Sequence, residues 1–244
     1  MGNVEFFNEL ARKRILSNAR MVPFDFEIYT KTFTDIDKKL KFLPADSVLD
    51  LGGGTGQITA FIAEKVGKVV LADGATEALK VAKDILRDLQ NVTFKQVDLN
   101  TVPLPFDDSE FDKIVCYSVI HYLDERQKCE SLFVELLRIS KPGGRLLIAD
   151  IPLADKKRVY LAERKKHFFE HLVASGSYHF QKAVTDLIYK FKGVDEKQVS
   201  GLHFTRGDLE NILDRLQGIN YQWLIQDSSL PFANSREDLL IVRL

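Results

Sequence analysis

Between Val48 and Gln57 the chain reads VLDLGGGTGQ, with glycine at 52, 53, 54 and 56 and a carboxylate, Asp50, just ahead of them. Glycine takes φ > 0 freely and lets a ligand approach main-chain N–H groups. A helical spacing of Ile58, Ile62, Ala63 and Val66 places a helix N-terminus, with its unpaired donors, immediately after the turn. This spacing suits non-covalent capture of a small polar ligand. A second carboxylate, Asp73, closes the apolar run Lys68 to Ala72. An acid about 20 residues past a glycine turn is placed to accept both hydroxyls of a ribose. Turn formation by Asp73-Gly74, with Thr76 capping the next helix, is the alternative.

Spacing narrows the ligand. The dinucleotide fingerprint GxGxxG, counted from Gly52 and Gly54, puts Gln57 where the third glycine belongs. The phosphate loop of nucleotide triphosphatases needs Lys and Ser/Thr after its last glycine, and Gly56 is followed by Gln57 and Ile58.

The positioning elements follow from periodicity. Ser47 to Leu51, Lys68 to Ala72, Asn91 to Val97, Lys113 to Tyr117 and Leu146 to Ile151 read as strands, and helical patterns lie between them. Helical spacing also marks 3–18 and 33–43, and Tyr29 and Phe26, which lie between these stretches, are candidate pocket-wall residues with core packing as the alternative. After Pro152 the alternation gives way to two helical patterns, 160–173 and 181–191, with a polar loop between them. A helix from Thr205 to Leu216, capped at Thr205 or Asp208, leads to two final strands, 221–226 and 238–242. With 244 residues and 45% hydrophobic content, one large core and a single domain are expected. A net charge of −1 gives no field for nucleic acid or an anionic membrane, so no partner of either kind is expected. Cys116 and Cys129 lack metal spacing and fit a reducing compartment. No membrane span or signal segment is read, and Met1-Gly2-Asn3 lacks Ser or Thr at position 6 for myristoylation. A cytoplasmic location is expected.

The acid followed by GxGxG at Asp50, Gly52, Gly54 and Gly56 resembles the first motif of the class I S-adenosylmethionine-dependent methyltransferases. Further along, Val97-Asp98-Leu99 resembles that family's third motif. The Pro105-Phe106 pair, its polar turn and Phe111-Asp112 resemble the approach to the fourth strand, and Lys141-Pro142-Gly143-Gly144 the turn before the fifth. The resemblance implies an α/β fold: a doubly wound, mostly parallel seven-stranded sheet with an antiparallel last strand. It also implies helical covers from residues 1–43 and from an insertion at 152–205. Its cofactor would be S-adenosylmethionine, contacted by Asp50, Gly52, Gly54 and Gly56, by Asp73 and Gly74 at the ribose, by Asp98 and Leu99 at the adenine, and by Tyr117.

The fourth strand ends Cys116-Tyr117-Ser118-Val119, which lacks the Asn/Asp-Pro-Pro-aromatic of nucleobase amino-methyltransferases, the Pro-Cys of cytosine C5 enzymes and the acid of metal-dependent catechol-type enzymes. A metal-free enzyme acting on a small molecule, such as a sugar or other metabolite, is the class that remains. A hydroxyl acceptor needs a base, and His is the natural type. On the family layout His121 is the first candidate and His179 the second, while an amine acceptor needs only to be neutral. Asp150 ends the fifth strand on the substrate side, and the basic residues at 156–158 and 164–166 could meet an anionic substrate. A protein or RNA substrate, a nicotinamide-dependent oxidoreductase and a non-catalytic cofactor-binding protein are the alternatives; oligomeric state is not legible.

Overall fold

The computed structural model describes residues 3–13, 26–156, 158, 201–230 and 232–244. Helices α1 (Asn3–Arg12) and α2 (Phe26–Leu40) precede β1 (Ser47–Leu51), α3 (Gln57–Ala63), β2 (Lys68–Asp73), α4 (Thr76–Ile85) and β3 (Val92–Gln96). Then come β4 (Phe111–Tyr117), a single 3-10 turn (Ile120–Tyr122), α5 (Gln127–Ile139), β5 (Ser140–Pro152), α6 (Arg206–Leu213), β6 (Ile219–Ile225) and β7 (Arg236–Arg243). The described strands form one seven-stranded sheet in the order β3-β2-β1-β4-β5-β7-β6. The first five are mutually parallel, and β7 runs antiparallel to both β5 and β6. This is the doubly wound, mostly parallel sheet that the resemblance implies.

Burial on both faces explains the near-continuous apolar strands. Leu49, Leu51, Ile114, Cys116, Leu146 and Ile148 point into one core with Leu132, Phe133 and Leu136 of α5 and Leu209 of α6. Their neighbours Val48, Val115 and Leu147 point the other way, onto Ile36 and Leu40 of α2, Ile58 and Ile62 of α3, and Leu79 and Ala82 of α4. Tyr29 belongs to this second core, not to a pocket wall. The side chain of Phe26 lies outside the described residues.

Local chemistry differs from the sequence reading in three places. The Lys141–Gly144 turn is absorbed into β5: pairing passes from Phe111↔Ser140 directly to Lys113↔Arg145, and Gly143 takes φ +75 in the extra loop. Thr76 does not cap α4. The Oδ1 of Asn8, reaching across from α1, accepts from Glu77 N at 2.9 Å, supplying from outside the acceptor that Ala75 at the N-cap cannot. The insertion expected at 152–205 lies largely outside the described residues, but its two stems are visible. Leu153 pairs with Phe204, and Ala154 N donates to Phe204 O at 2.8 Å. At α6 the expected cap is a reciprocal one between Thr205 and Asp208.

Candidate active site

Strands β1, β2 and β3 proceed to one side of the sheet and β4 and β5 to the other, so the order reverses between β1 and β4. A crevice opens beyond the carboxyl ends of the strands at such a point. Here it holds about 1070 Å³ of empty space, its open mouth included. The floor is Gly52, Gly53, Gly54 and Thr55. One end is Asp73, Gly74, Val97, Asp98 and Leu99, and the other is Tyr117, Ser118 and Val119. Helix α1 forms a roof through Val4, Phe7 and Ala11. Asn3 Nδ2 donates to Tyr122 O at 2.9 Å, and the Phe7 ring meets Tyr122 edge-on with centroids 5.1 Å apart, which ties that roof to the far wall.

The glycines divide by role. Gly52 has φ +76, and a Cβ there would stand 2.4 Å from Val119 Cγ2. Gly54 also has positive φ, and its N–H donates to Asp73 Oδ2 at 2.9 Å. Both line the crevice. Gly56 does not: it caps α3 with φ +86, and its Cα faces Leu86, whose Cδ1 a Cβ would approach to 2.7 Å. The regular GxGxG spacing therefore joins ligand-facing glycines to one required by helix packing.

The carboxylates are equally distinct. Asp50 is 3% exposed, and its Oδ2 accepts from Thr59 Oγ1 at 2.6 Å. Burial pushes its pKa up to about 6 against that hydrogen bond, with the charge of Asp73 adding to the rise. Asp73 is half-buried and accepts from Gly54 N and, at 2.7 Å, from Ala75 N. Desolvation outweighs these bonds and raises its pKa. Asp98 is exposed and makes a tight turn, accepting from Asn100 N at 2.9 Å and Thr101 Oγ1 at 3.0 Å. Against desolvation, these bonds hold its carboxyl below the usual range. Leu99 and Tyr117 also line the crevice.

His121 does not line it. The 3-10 turn directs Tyr122 and Leu123 to the crevice and packs the His121 ring against Tyr122, 4.1 Å between centroids, near Gly201. Its main-chain carbonyl accepts from Leu202 N at 2.7 Å. His179 lies outside the described residues. Burial pushes the Cys116 thiol far up and the Cys129 thiol to about 12, so neither supplies a thiolate. Sequence reasoning expected a helical cover from residues 1–43 but not which side chains of α1 would face the crevice: Val4, Phe7 and Ala11 stand among polar positions as in any amphipathic helix. Ser118 was legible only as part of a strand end.

A family model described as a methyltransferase domain matches residues 43–217. The chain belongs to the class I S-adenosylmethionine-dependent methyltransferases. Its cofactor is S-adenosylmethionine. The ubiquinone/menaquinone biosynthesis C-methyltransferase of Idiomarina loihiensis is 42% identical over 110 residues, which is 42% of this chain and 41% of that protein. The enzyme of the same name from Teredinibacter turnerae is 41% identical over 113 residues, 44% of this chain and 43% of that protein. This methyltransferase thus spans less than half the length of these relatives. Among solved structures, the magnesium protoporphyrin IX methyltransferase of Synechocystis with bound S-adenosylhomocysteine shares the fold at TM-score 0.61 and 16% identity, covering 98% of this chain and 97% of its own. Phosphoethanolamine N-methyltransferase 1 of Haemonchus contortus does so at TM-score 0.66 and 12% identity, covering 98% of this chain and 48% of its own.

The cradle fits the methyltransferase cofactor. Gly52 and Gly54 line the crevice in left-handed conformations that bare the main chain to it, and the acceptor-only carboxylate of Asp73 lines the same space.

Proposed function

We propose that this methyltransferase moves a methyl group from S-adenosylmethionine to a hydroxyl or amine of a small molecule by in-line displacement without a metal. The supporting observation is the layout of the crevice across the strand-order reversal. Asp98 and Asp73 suit adenine and ribose over β3 and β2, so the sulfur end falls over β1 and β4, and the acceptor comes next, over β4 and β5. The roof laid down by α1 encloses that route and favours a small acceptor over a protein or nucleic acid.

When bound, S-adenosylmethionine supplies an electrophilic methyl carbon. What the chain must do is hold the acceptor in line with it and keep water out. Among the described residues, the carboxylates near the acceptor end are engaged elsewhere: Asp150 pairs with Arg236 and Asp238 with Lys39. A carbon acceptor is the second reading, favoured by the 41–42% identical relatives that are named as C-methyltransferases.

A cytoplasmic setting goes with this reading. Both cysteines are free and buried, and no described helix is long and apolar enough to cross a membrane. The deciding experiment begins with thermal unfolding in S-adenosylmethionine, S-adenosylhomocysteine, NAD and NADP. A ligand at 100 times its Kd adds about 2.7 kcal/mol. Stabilisation by the two sulfur ligands alone is expected, followed by methyl-labelled turnover on phenols, amines and quinols. Stabilisation by NAD alone, or label appearing only in protein or RNA, refutes the proposal.

A further inference from the structure

Ser118, just past the end of β4, stands beside Asp150, which lies inside β5 where its pairing with β7 shifts register; Tyr117 pairs with Ala149 and Ser118 N donates to Ala149 O at 2.9 Å. Ser118 and Asp150 both take left-handed backbone conformations, φ +61 and +58, without being glycine. Two neighbouring residues so strained are held there only if their surroundings over-determine them. Arg236, at the start of β7, does so. Its Nη1 donates to Asp150 O at 3.0 Å, to Ser118 Oγ at 3.4 Å and to Asp150 Oδ2. Its guanidinium lies 4.8 Å from the centre of the Phe232 ring. The same Arg236 Nη1 thus holds the Ser118 hydroxyl oxygen and the Asp150 carboxylate beside each other. Ser118, Asp150 and Arg236 are all at least nine-tenths buried, yet only Ser118 reaches the crevice wall.

We propose that Ser118 is the catalytic group that takes the proton from the methyl acceptor, and that Asp150, fixed by Arg236, positions Ser118 and receives the proton in turn. The inference rests on the methyltransferase reading above. In this arrangement the acceptor O–H or N–H points at Ser118 Oγ, and the Ser118 hydrogen turns to the Asp150 carboxylate that Arg236 holds beside it. As the acceptor atom bonds to the methyl carbon and the sulfur–methyl bond breaks, the acceptor proton passes to Ser118 Oγ, and the original Ser118 proton passes to Asp150. The products are methylated acceptor, neutral thioether and protonated Asp150, so charge and atoms balance.

The surroundings suit an acid that must hold and release a proton. Asp150 faces Arg236 and Asp238 from β7, Gln226 beyond β6, and Tyr117 from β4, with Lys39 and Asp35 of α2 behind Asp238. Desolvation raises its pKa in spite of the Arg236 charge. Tyr117 is not the acceptor of the proton: burial and the Asp150 and Asp238 charges keep its hydroxyl protonated.

The test needs no identified acceptor. Sinefungin replaces the methylated sulfur of the cofactor by a carbon bearing an amine, which projects into the acceptor position. S-adenosylhomocysteine has nothing there. Ser118→Gly and Asp150→Asn are chosen because both residues accept the left-handed backbone. Calorimetry on the full chain should show the wild type preferring sinefungin. Each variant should lose about tenfold or more in sinefungin affinity, the loss expected for one hydrogen bond to a charged group, with S-adenosylhomocysteine affinity within about twofold. Equal losses for both ligands would mean a merely structural role and overturn the inference, as would unchanged sinefungin binding. If the wild type binds neither ligand, the methyltransferase reading itself fails first.

Discussion

Replacing Asp50 by Asn should make the ligand-free protein more stable at neutral pH, and by an amount that depends on pH. Asp50 lies near the end of β1 and, among the described residues, has one side-chain hydrogen-bond donor, Thr59, and no cation that opposes its burial. Its pKa rises from 3.8 to about 6. A tenfold change in proton affinity is worth about 1.4 kcal/mol, and the roughly hundredfold change here about 3 kcal/mol. For an acid raised in the folded state, the folded protein binds more protons than the unfolded one between the two pKa values, so stability falls as pH rises through that window. The penalty is absent below about pH 4 and complete above about pH 6–7. Asn can still accept from Thr59 and carries no charge, so its gain over the wild type should grow by about 3 kcal/mol from pH 4 to pH 7. For a chain of this length that is a difference in Tm of roughly 6–12 °C. Every other titrating group is common to both proteins and cancels in the comparison, apart from Asp73, whose charge is coupled to that of Asp50. Thermal unfolding of both proteins from pH 4.5 to 7.5 reads the effect directly. A gain that is the same at both ends of that range would refute the account of Asp50 as a buried, under-compensated carboxyl.

S-adenosylmethionine carries a sulfonium and an ammonium and should favour ionised Asp50; wild-type affinity is expected to rise from pH 5 to 7 and the Asp50→Asn affinity to stay flat, by calorimetry. Asp73→Ala should weaken S-adenosylhomocysteine binding at least tenfold. It should also cost about 1–3 kcal/mol in denaturant unfolding, because Gly54 N and Ala75 N lose their acceptor. Asn8→Ala should cost about 1 kcal/mol by uncapping α4, a fall in Tm of about 2–4 °C, and hasten cofactor release because α1 loosens. Gly56→Ala should destabilise the fold through its φ of +86 and the Leu86 clash while leaving the Kd of the folded protein unchanged.

Much of the sheet was legible because its strands are short apolar runs ended by chemistry: Val48-Leu49-Asp50-Leu51 into glycines, and Val69 to Ala72 into Asp73. The place of Asp73 beside the glycine turn was also readable, since β1 and β2 are neighbours in chain and sheet alike. What escaped reading depended on contacts between distant parts of the chain. Asn8 looks like any polar residue on an amphipathic helix until α1 is laid across α4. Arg236 reaches Ser118 and Asp150 only because the last strand inserts between β5 and β6. The misplacement of His121 has a local cause: one 3-10 turn after β4 sets which of three consecutive side chains faces the ligand, and residue order does not reveal the phase of so short a turn.

The pairing of Leu153 with Phe204 makes the chain leave and re-enter the scaffold through a single doorway. The length of chain between these two stems can change without shifting the register of β5 against β7, since the closure cost of a longer loop grows only as the logarithm of its length. Evolution, or an engineer, can therefore lengthen or shorten it while the crevice beyond β1 and β4 stays as it is.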